Sequence, residues 1–209
     1  VDLPGHGGSE GEPSSSARGY AGWLLAYLVQ HRDPVHLVGH SMGALVVLEA
    51  AAARPDRVRS LTLVGVSDLV PVNPDLLAGA AKGDLSMFAT MGKWMHAKDP
   101  IGTPEWTIAD TVEILQRARP GVAHADLTAC NTYPGAAAVA AGVAVPILLL
   151  LGEQDLMTKP SAATPIATAA DDATTVIVPG AGHLLPVERP EAVNDALLEF
   201  LASVDERTE

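Results

Sequence analysis

Four short apolar runs, set between longer stretches of helical character, constrain this chain most. They are His36-Leu37-Val38-Gly39, Leu61-Thr62-Leu63-Val64-Gly65-Val66, Ile147 through Leu151, and Thr175-Val176-Ile177-Val178. These runs lack the regular alternation of a strand with one wet face. Near-continuous Val, Ile and Leu runs fit a parallel sheet covered on both faces, whose strands must be joined by crossover segments, usually helical. The intervening sequence supplies helices expected at 15–31, 42–53, 160–170 and 190–203. Ser14-Ser15-Ser16 offers N-caps to the first, and Pro190 suits the first turn of the last. The expectation is an α/β layer architecture.

The stretch from Asp68 to about Gly142 contains helix starts but no convincing strand. Asn73-Pro74-Asp75 and Thr103-Pro104-Glu105 each combine a capping side chain with proline at the first helical position, and Arg119-Pro120-Gly121 marks a stop. It reads as a helical insert lying over the strand ends as a lid. Residues 1–67 and 143–209 are then the core, and 68–142 the cap.

Composition narrows the partners. Over 209 residues, 25 Asp and Glu stand against 13 Lys and Arg, for a formal charge of −12 with no basic cluster. That balance opposes nucleic acid or anionic membrane as the main partner and leaves a small-molecule substrate. Although 48% of residues are hydrophobic, no apolar run approaches the roughly 20 residues of a membrane helix. Cys130 is the single cysteine, so neither an intrachain disulfide nor a thiolate metal cluster can form, in keeping with a cytoplasmic location. Oligomeric state is left open.

The first apolar run leads straight into Gly39-His40-Ser41-Met42-Gly43, a G-x-S-x-G pattern between a strand and a helix rich in Ala, Leu and Val. A turn this sharp strains the serine backbone, and the flanking glycines are expected to remove Cβ atoms that would collide with neighbouring backbone. Ser41 Oγ then stands at the carboxyl end of the sheet. The Met42 N–H, at a helix N-terminus, is aimed where an oxyanion would develop. A neutral hydroxyl is a poor nucleophile without a base and a group to orient that base. Two loops supply them past the carboxyl ends of later strands: Gly152-Glu153-Gln154-Asp155, and Pro179-Gly180-Ala181-Gly182-His183. Parallel strands bring such loops together.

The segments VGHSMGALVVLEAAARPDRVRSLTLVG, LLLLGEQDLMT and VPGAGHLLPVERPEAV resemble the nucleophile, acid and histidine segments of the α/β-hydrolase superfamily, and the resemblance covers essentially the whole chain outside the insert. Ser41, Asp155 and His183 stand in that fold's order of nucleophile, acid and base. Asp68 is a rival acid, because some families of this fold place the acid after the preceding strand. Within the superfamily the chain is similar to bacterial esterase-like, haloperoxidase-like and carbon-carbon bond hydrolases with a helical cap. The resemblance implies a serine hydrolase that needs no cofactor or metal and forms an acyl-enzyme with small, largely apolar esters or thioesters. Carbon-carbon bond hydrolysis, perhydrolysis, and a ligand-binding receptor without turnover are the alternatives. It also aligns the opening DLPGHGGS with the loop after the fourth strand of the fold. His6 is therefore not expected to act in catalysis, and strands one to three, with the second oxyanion donor, are expected upstream of Val1.

Other side chains invite weaker readings. His36 and His40 are four apart but on a strand, too far from each other to share a metal, and His40 is expected to pack beside the serine turn. Met87, Met91 and Met95 recur at helical spacing with Trp94 adjacent, while Met42 and Met157 flank the serine and the acid. Met87, Met91, Trp94 and Met157 are candidates, beside His40, for an adaptable apolar substrate wall, with ordinary packing the commoner reading of such a stripe; Gly92 is expected to interrupt the helix. His31, His96 and His124 suggest no ligand partners.

Overall fold

All four apolar runs are strands of one parallel sheet. In the computed structural model, which describes residues 1–84, 86–99 and 107–207, they are β1 (Val35–His40), β2 (Val58–Val64), β3 (Ile147–Gly152) and β4 (Ala173–Val178), in spatial order β1-β2-β3-β4. The second run was expected to extend to Val66. It stops two residues earlier because Gly65 turns to φ +55°, outside the extended range. The register aligns His40 with Val64, Val64 with Leu150, and Leu150 with Val176, so the carboxyl ends of all four strands open onto one side.

Helices cover both faces, and strand parity decides which residues meet them. Leu61, Leu63, Ile147, Leu149 and Leu151 face a core built with α1 (Ala17–Leu28), α2 (Met42–Ala53) and α8 (Thr164–Ala169). On the other face Val64, Leu148, Leu150 and Val178 pack against α10 (Pro190–Glu206) through Val193, Phe200 and Val204. The helix at 42–53 lies where expected. The first helix is shorter than 15–31 because Ser16 caps it, accepting from the Gly19 N–H at 3.1 Å. The segment 160–170 is a 3₁₀ turn, Pro160–Ala163, continuing into α8.

Between β2 and β3 lie α3 (Pro74–Ala81), α4 (Met87–Met95), α5 (Ile108–Gln116), α6 (Val122–Asn131) and α7 (Ala136–Ala140). Asn73 caps α3 through Oδ1, which accepts from the Asp75 N–H at 2.8 Å. Thr107 and Asp110 form a capping box at α5. The expected start at Thr103-Pro104-Glu105 lies outside the described residues. Leu76, Ala80, Phe88 and Met91, with Leu115 and Leu127, form a small core of their own, whereas Ala136 and Ala140 of α7 join the main core. Gly92 does not interrupt α4. A Cβ there would lie 2.8 Å from Val112 Cγ2 and 3.2 Å from Ile108 Cγ2, so the glycine lets α5 approach closely. Among the described residues no helix is long and apolar enough to cross a membrane.

Candidate active site

Ser41 is the turn between β1 and α2. Its φ of 54° and ψ of −119° make it the single non-glycine residue of positive φ among the described residues. Such a conformation costs on the order of 1–3 kcal/mol and persists only where its surroundings hold it. The Ser41 N–H donates to Val64 O, and the Ala44 N–H to Ser41 O, each at 2.9 Å. The two flanking glycines are not equivalent. A Cβ on Gly39 would lie 2.2 Å from the Gly43 carbonyl oxygen, so that position admits no side chain while the turn is closed. A Cβ on Gly43 would meet nothing within 4 Å, which corrects the expectation that both glycines relieve collisions. Met42 opens α2, and its N–H is among the helix donors left without an intrahelical partner, at the positive end of the dipole.

The loops after β3 and β4 bring Asp155 and His183 together in a buried pair. Asp155 Oδ2 accepts from His183 Nδ1 at 2.8 Å and from the Thr158 hydroxyl at 2.7 Å, while Oδ1 accepts from the Met157 and Thr158 N–H groups at 2.7 and 2.8 Å. Burial works against the charge on this carboxyl, but the hydrogen bond and charge of His183, with the bonds from Thr158, prevail and hold it below the usual carboxylate range. Because a carboxylate only accepts, Nδ1 carries the proton and Nε2 keeps its lone pair. Thr158 Oγ1 also lies 3.1 Å from His183 Nδ1, a second partner on the same side of the ring. Asp68 is elsewhere: its Oδ1 accepts from the Ala137 N–H at 2.8 Å and so caps α7.

His40 fixes the imidazole from behind. Its Nε2–H donates to the His183 carbonyl at 2.8 Å, and the two rings lie 4.7 Å apart. Burial, reinforced by His183, pushes the His40 pKa down to about 4, so it is a neutral donor. Gly65 makes room for both rings, since a Cβ there would lie 3.2 Å from His183 Nδ1 and 3.3 Å from His40 Nε2. His36 points to other partners, Ser60 Oγ at 2.7 Å and Asp205 at 3.3 Å.

Ser41, Met42, His40 and His183 line a cavity of about 390 Å³ beneath α3, α4 and α6. Met91, Trp94 and Met157 also line it, with Met95, Leu76 and Cys130. Met87 does not. Two turns before Met95 on α4, it packs toward α3, where a Cβ on Gly79 would meet its Sδ at 3.5 Å. Among the described residues no hydrogen bond joins the Ser41 hydroxyl to the imidazole, although both face this space. Burial pushes the Cys130 thiol up to about 12, with the Asp126 charge adding to the effect, so it is an inert wall.

The helices over the cavity are fastened to the histidine loop. The Met95 carbonyl accepts from the His183 N–H at 2.8 Å and the Leu184 N–H at 3.1 Å. The buried Glu188 carboxylate accepts from the Ala97 N–H at 3.0 Å and from the Gly182 N–H, and His96 Nδ1 lies 3.4 Å from it. His96, which suggested no partner in the sequence, also bonds Thr111 Oγ1 at 2.8 Å. Thr158, Gly65, His96 and Glu188 are the site residues that sequence reasoning missed. Only Gly65, a glycine inside an apolar run, carried a signal that could have found it. His6 stands away from this cavity's serine and ties the N-terminal loop to α6 through Asp126 Oδ2 at 2.8 Å.

A parallel sheet with a strained serine at a strand-to-helix turn, and an acid and a histidine on the following loops, defines an α/β-hydrolase. Residues 1–196 match the model of the alpha/beta hydrolase family, and the chain belongs to that family. Monoglyceride lipase of Homo sapiens is 28% identical over 230 residues, covering 99% of this chain and 72% of the lipase. Pimeloyl-[acyl-carrier protein] methyl ester esterase of Chromobacterium violaceum is 29% identical over 216 residues, covering 96% and 82%. The solved structure of a thermophilic esterase from Thermogutta terrifontis superposes with a TM-score of 0.83 at 26% identity, covering 97% of this chain and 78% of that one. The protein is a hydrolase of this fold.

Proposed function

We propose that this hydrolase cleaves small, largely apolar esters or thioesters through Ser41, His183 and Asp155, with α3–α6 as its cap. Ser41 Oγ attacks the acyl carbonyl while His183 Nε2 takes its proton, and the Met42 N–H stabilises the developing oxyanion. The protonated imidazole passes that proton to the leaving alcohol or thiol. Water, activated by the same Nε2, then releases the acid from the acyl-enzyme. Asp155 holds the imidazole in the tautomer this requires and stabilises its cationic form. The serine hydroxyl turns to Nε2 when substrate fills the cavity, as catalytic hydrogen bonds often tighten only in the complex.

One observation carries the reading: His183 is locked by a buried carboxylate through Nδ1, with Nε2 unpaired among the described residues, in a ring that lines the same cavity as Ser41. The apolar lining of that cavity supports the substrate class. The test is turnover of p-nitrophenyl butyrate. Ser41→Ala is expected to lower kcat by about four to six orders of magnitude with an unchanged melting temperature. A Ser41→Ala protein that keeps a tenth of the activity overturns the reading.

A further inference from the structure

Beside the cavity over Ser41 lies a second one, of about 590 Å³, between α4, α5, α6 and the Gly5–Gly7 loop. Resting on the hydrolase reading above, we propose that this chamber receives the distal part of the substrate's acyl chain, so that among small apolar esters the enzyme prefers medium-chain acyl groups to short ones.

Three features point there. The two cavities share Met91, Asp126 and Leu127, so a chain growing away from Ser41 meets the second chamber on the far side of those side chains. Met91 and Leu127 are the apolar part of that partition, and an unbranched thioether re-packs readily around a ligand. The second chamber's own wall is hydrocarbon, from Phe88, Ile114, Leu115 and Val122. Lastly, its polar side chains are already engaged. Arg119 donates to the Gly5 and Ser9 carbonyls, Arg117 to Glu113, and Asp126 accepts from the Tyr20 hydroxyl at 2.7 Å and from His6. Such a lining recognises an alkyl chain and not a charged headgroup. Ile114, half exposed at the rim, leaves an apolar surface for that chain to cover. The first cavity alone sits at the small end of the roughly 300–1,000 Å³ usual for ligand sites.

The experiment compares p-nitrophenyl butyrate with p-nitrophenyl decanoate. Burying a methylene is worth up to about fourfold in binding, so kcat/KM for decanoate is expected to exceed that for butyrate at least tenfold. Ala123→Phe, which fills the second chamber, is expected to reduce that ratio tenfold or more. Ile114→Trp, at the exposed rim, makes the same test should Ala123→Phe fail to fold. A wild-type preference for butyrate, or a ratio unchanged in both variants, overturns the proposal while leaving the hydrolase reading in place. Should neither ester be turned over, the hydrolase reading fails, and calorimetric binding of p-nitrophenyl decanoate still decides on the chamber. Binding weakened tenfold by Ala123→Phe supports it, and equal binding contradicts it.

Discussion

Asp155 and Asp68 are the same side chain on loops after neighbouring strands, and their surroundings separate them. Asp155 meets the imidazole, two N–H groups and a hydroxyl, whereas Asp68 spends an oxygen on the N-terminus of α7. Asp155→Asn is therefore expected to lower kcat by about 10³ or more, and Asp68→Asn by less than tenfold. Steady-state kinetics of the two variants check this, and the opposite ranking would move the acid to Asp68. His40 and Asp155 both weaken the fold in acid, over successive pH ranges. The folded-state pKa of His40, about 4, lies below the ordinary 6.5 or so of an unfolded chain, so the unfolded state binds the proton first. Stability falls as pH drops from 6.5 to 4, by up to about 3 kcal/mol from this group. Asp155 has a depressed value, so its contribution is full above the ordinary carboxylate pKa and is lost only as pH falls through the lower folded one. Urea unfolding at pH 6.5 and 4.5 is expected to show a smaller loss for His40→Gln than for wild type, and equal losses would contradict the assignment. Ser41, Asp155 and His183 were legible as candidates because each follows an apolar run. Thr158 and Glu188 were not, because a lone threonine or glutamate carries no pattern until the chain is folded around it.

At the scale of elements, the serine turn depends on how closely β1 and α2 approach. Gly39 faces the backbone of Gly43 at a distance that no Cβ tolerates, while Gly43 looks into open space. Gly39→Ala is expected to destabilise the protein by about 1–3 kcal/mol, the range for overpacking. Gly43→Ala, within a helix, is expected to stabilise it by up to about 1 kcal/mol. Thermal and urea melts of the two variants test the pair, and a tolerated Gly39→Ala would mean that the turn opens easily. The strands and α2 were readable because each is a continuous apolar segment with a clear start and stop. The cap helices were readable as helices, but their packing was not. Periodicity makes Met87 and Met91 look alike, and only the placement of α3 and α6 buries one in the cap and turns the other toward the cavity. Gly92 misled for the same reason: a glycine needed for a close crossing looks like one that ends a helix. The fastening of cap to histidine loop through Met95, Ala97 and Glu188 joins segments about 90 residues apart and leaves no local trace.

Over the whole molecule, the sheet register gathers four strand ends on one side and helices α3, α4 and α6 lie over them, so on the proposed reading chemistry and specificity come from different layers. The sheet supplies Ser41, Asp155 and His183 on short loops fixed by strand pairing. The cap supplies Met91, Trp94 and Met95, whose positions depend on helix packing and on the buried Glu188 carboxylate. The α/β architecture could be read from the runs and the hydrolase superfamily from the resemblance, while the proposed substrate wall rested only on methionines at helical spacing. The layers meet in the proposal that Ser41 is the activated nucleophile of the cavity between them. Incubation of the intact protein with a fluorophosphonate, followed by mass-spectrometric mapping of the adduct, tests it most directly. A single adduct on the Ser41 hydroxyl is expected, forming in step with loss of esterase activity and absent from Ser41→Ala. An adduct on Ser67 or Ser86, or persistent labelling of Ser41→Ala, would contradict it.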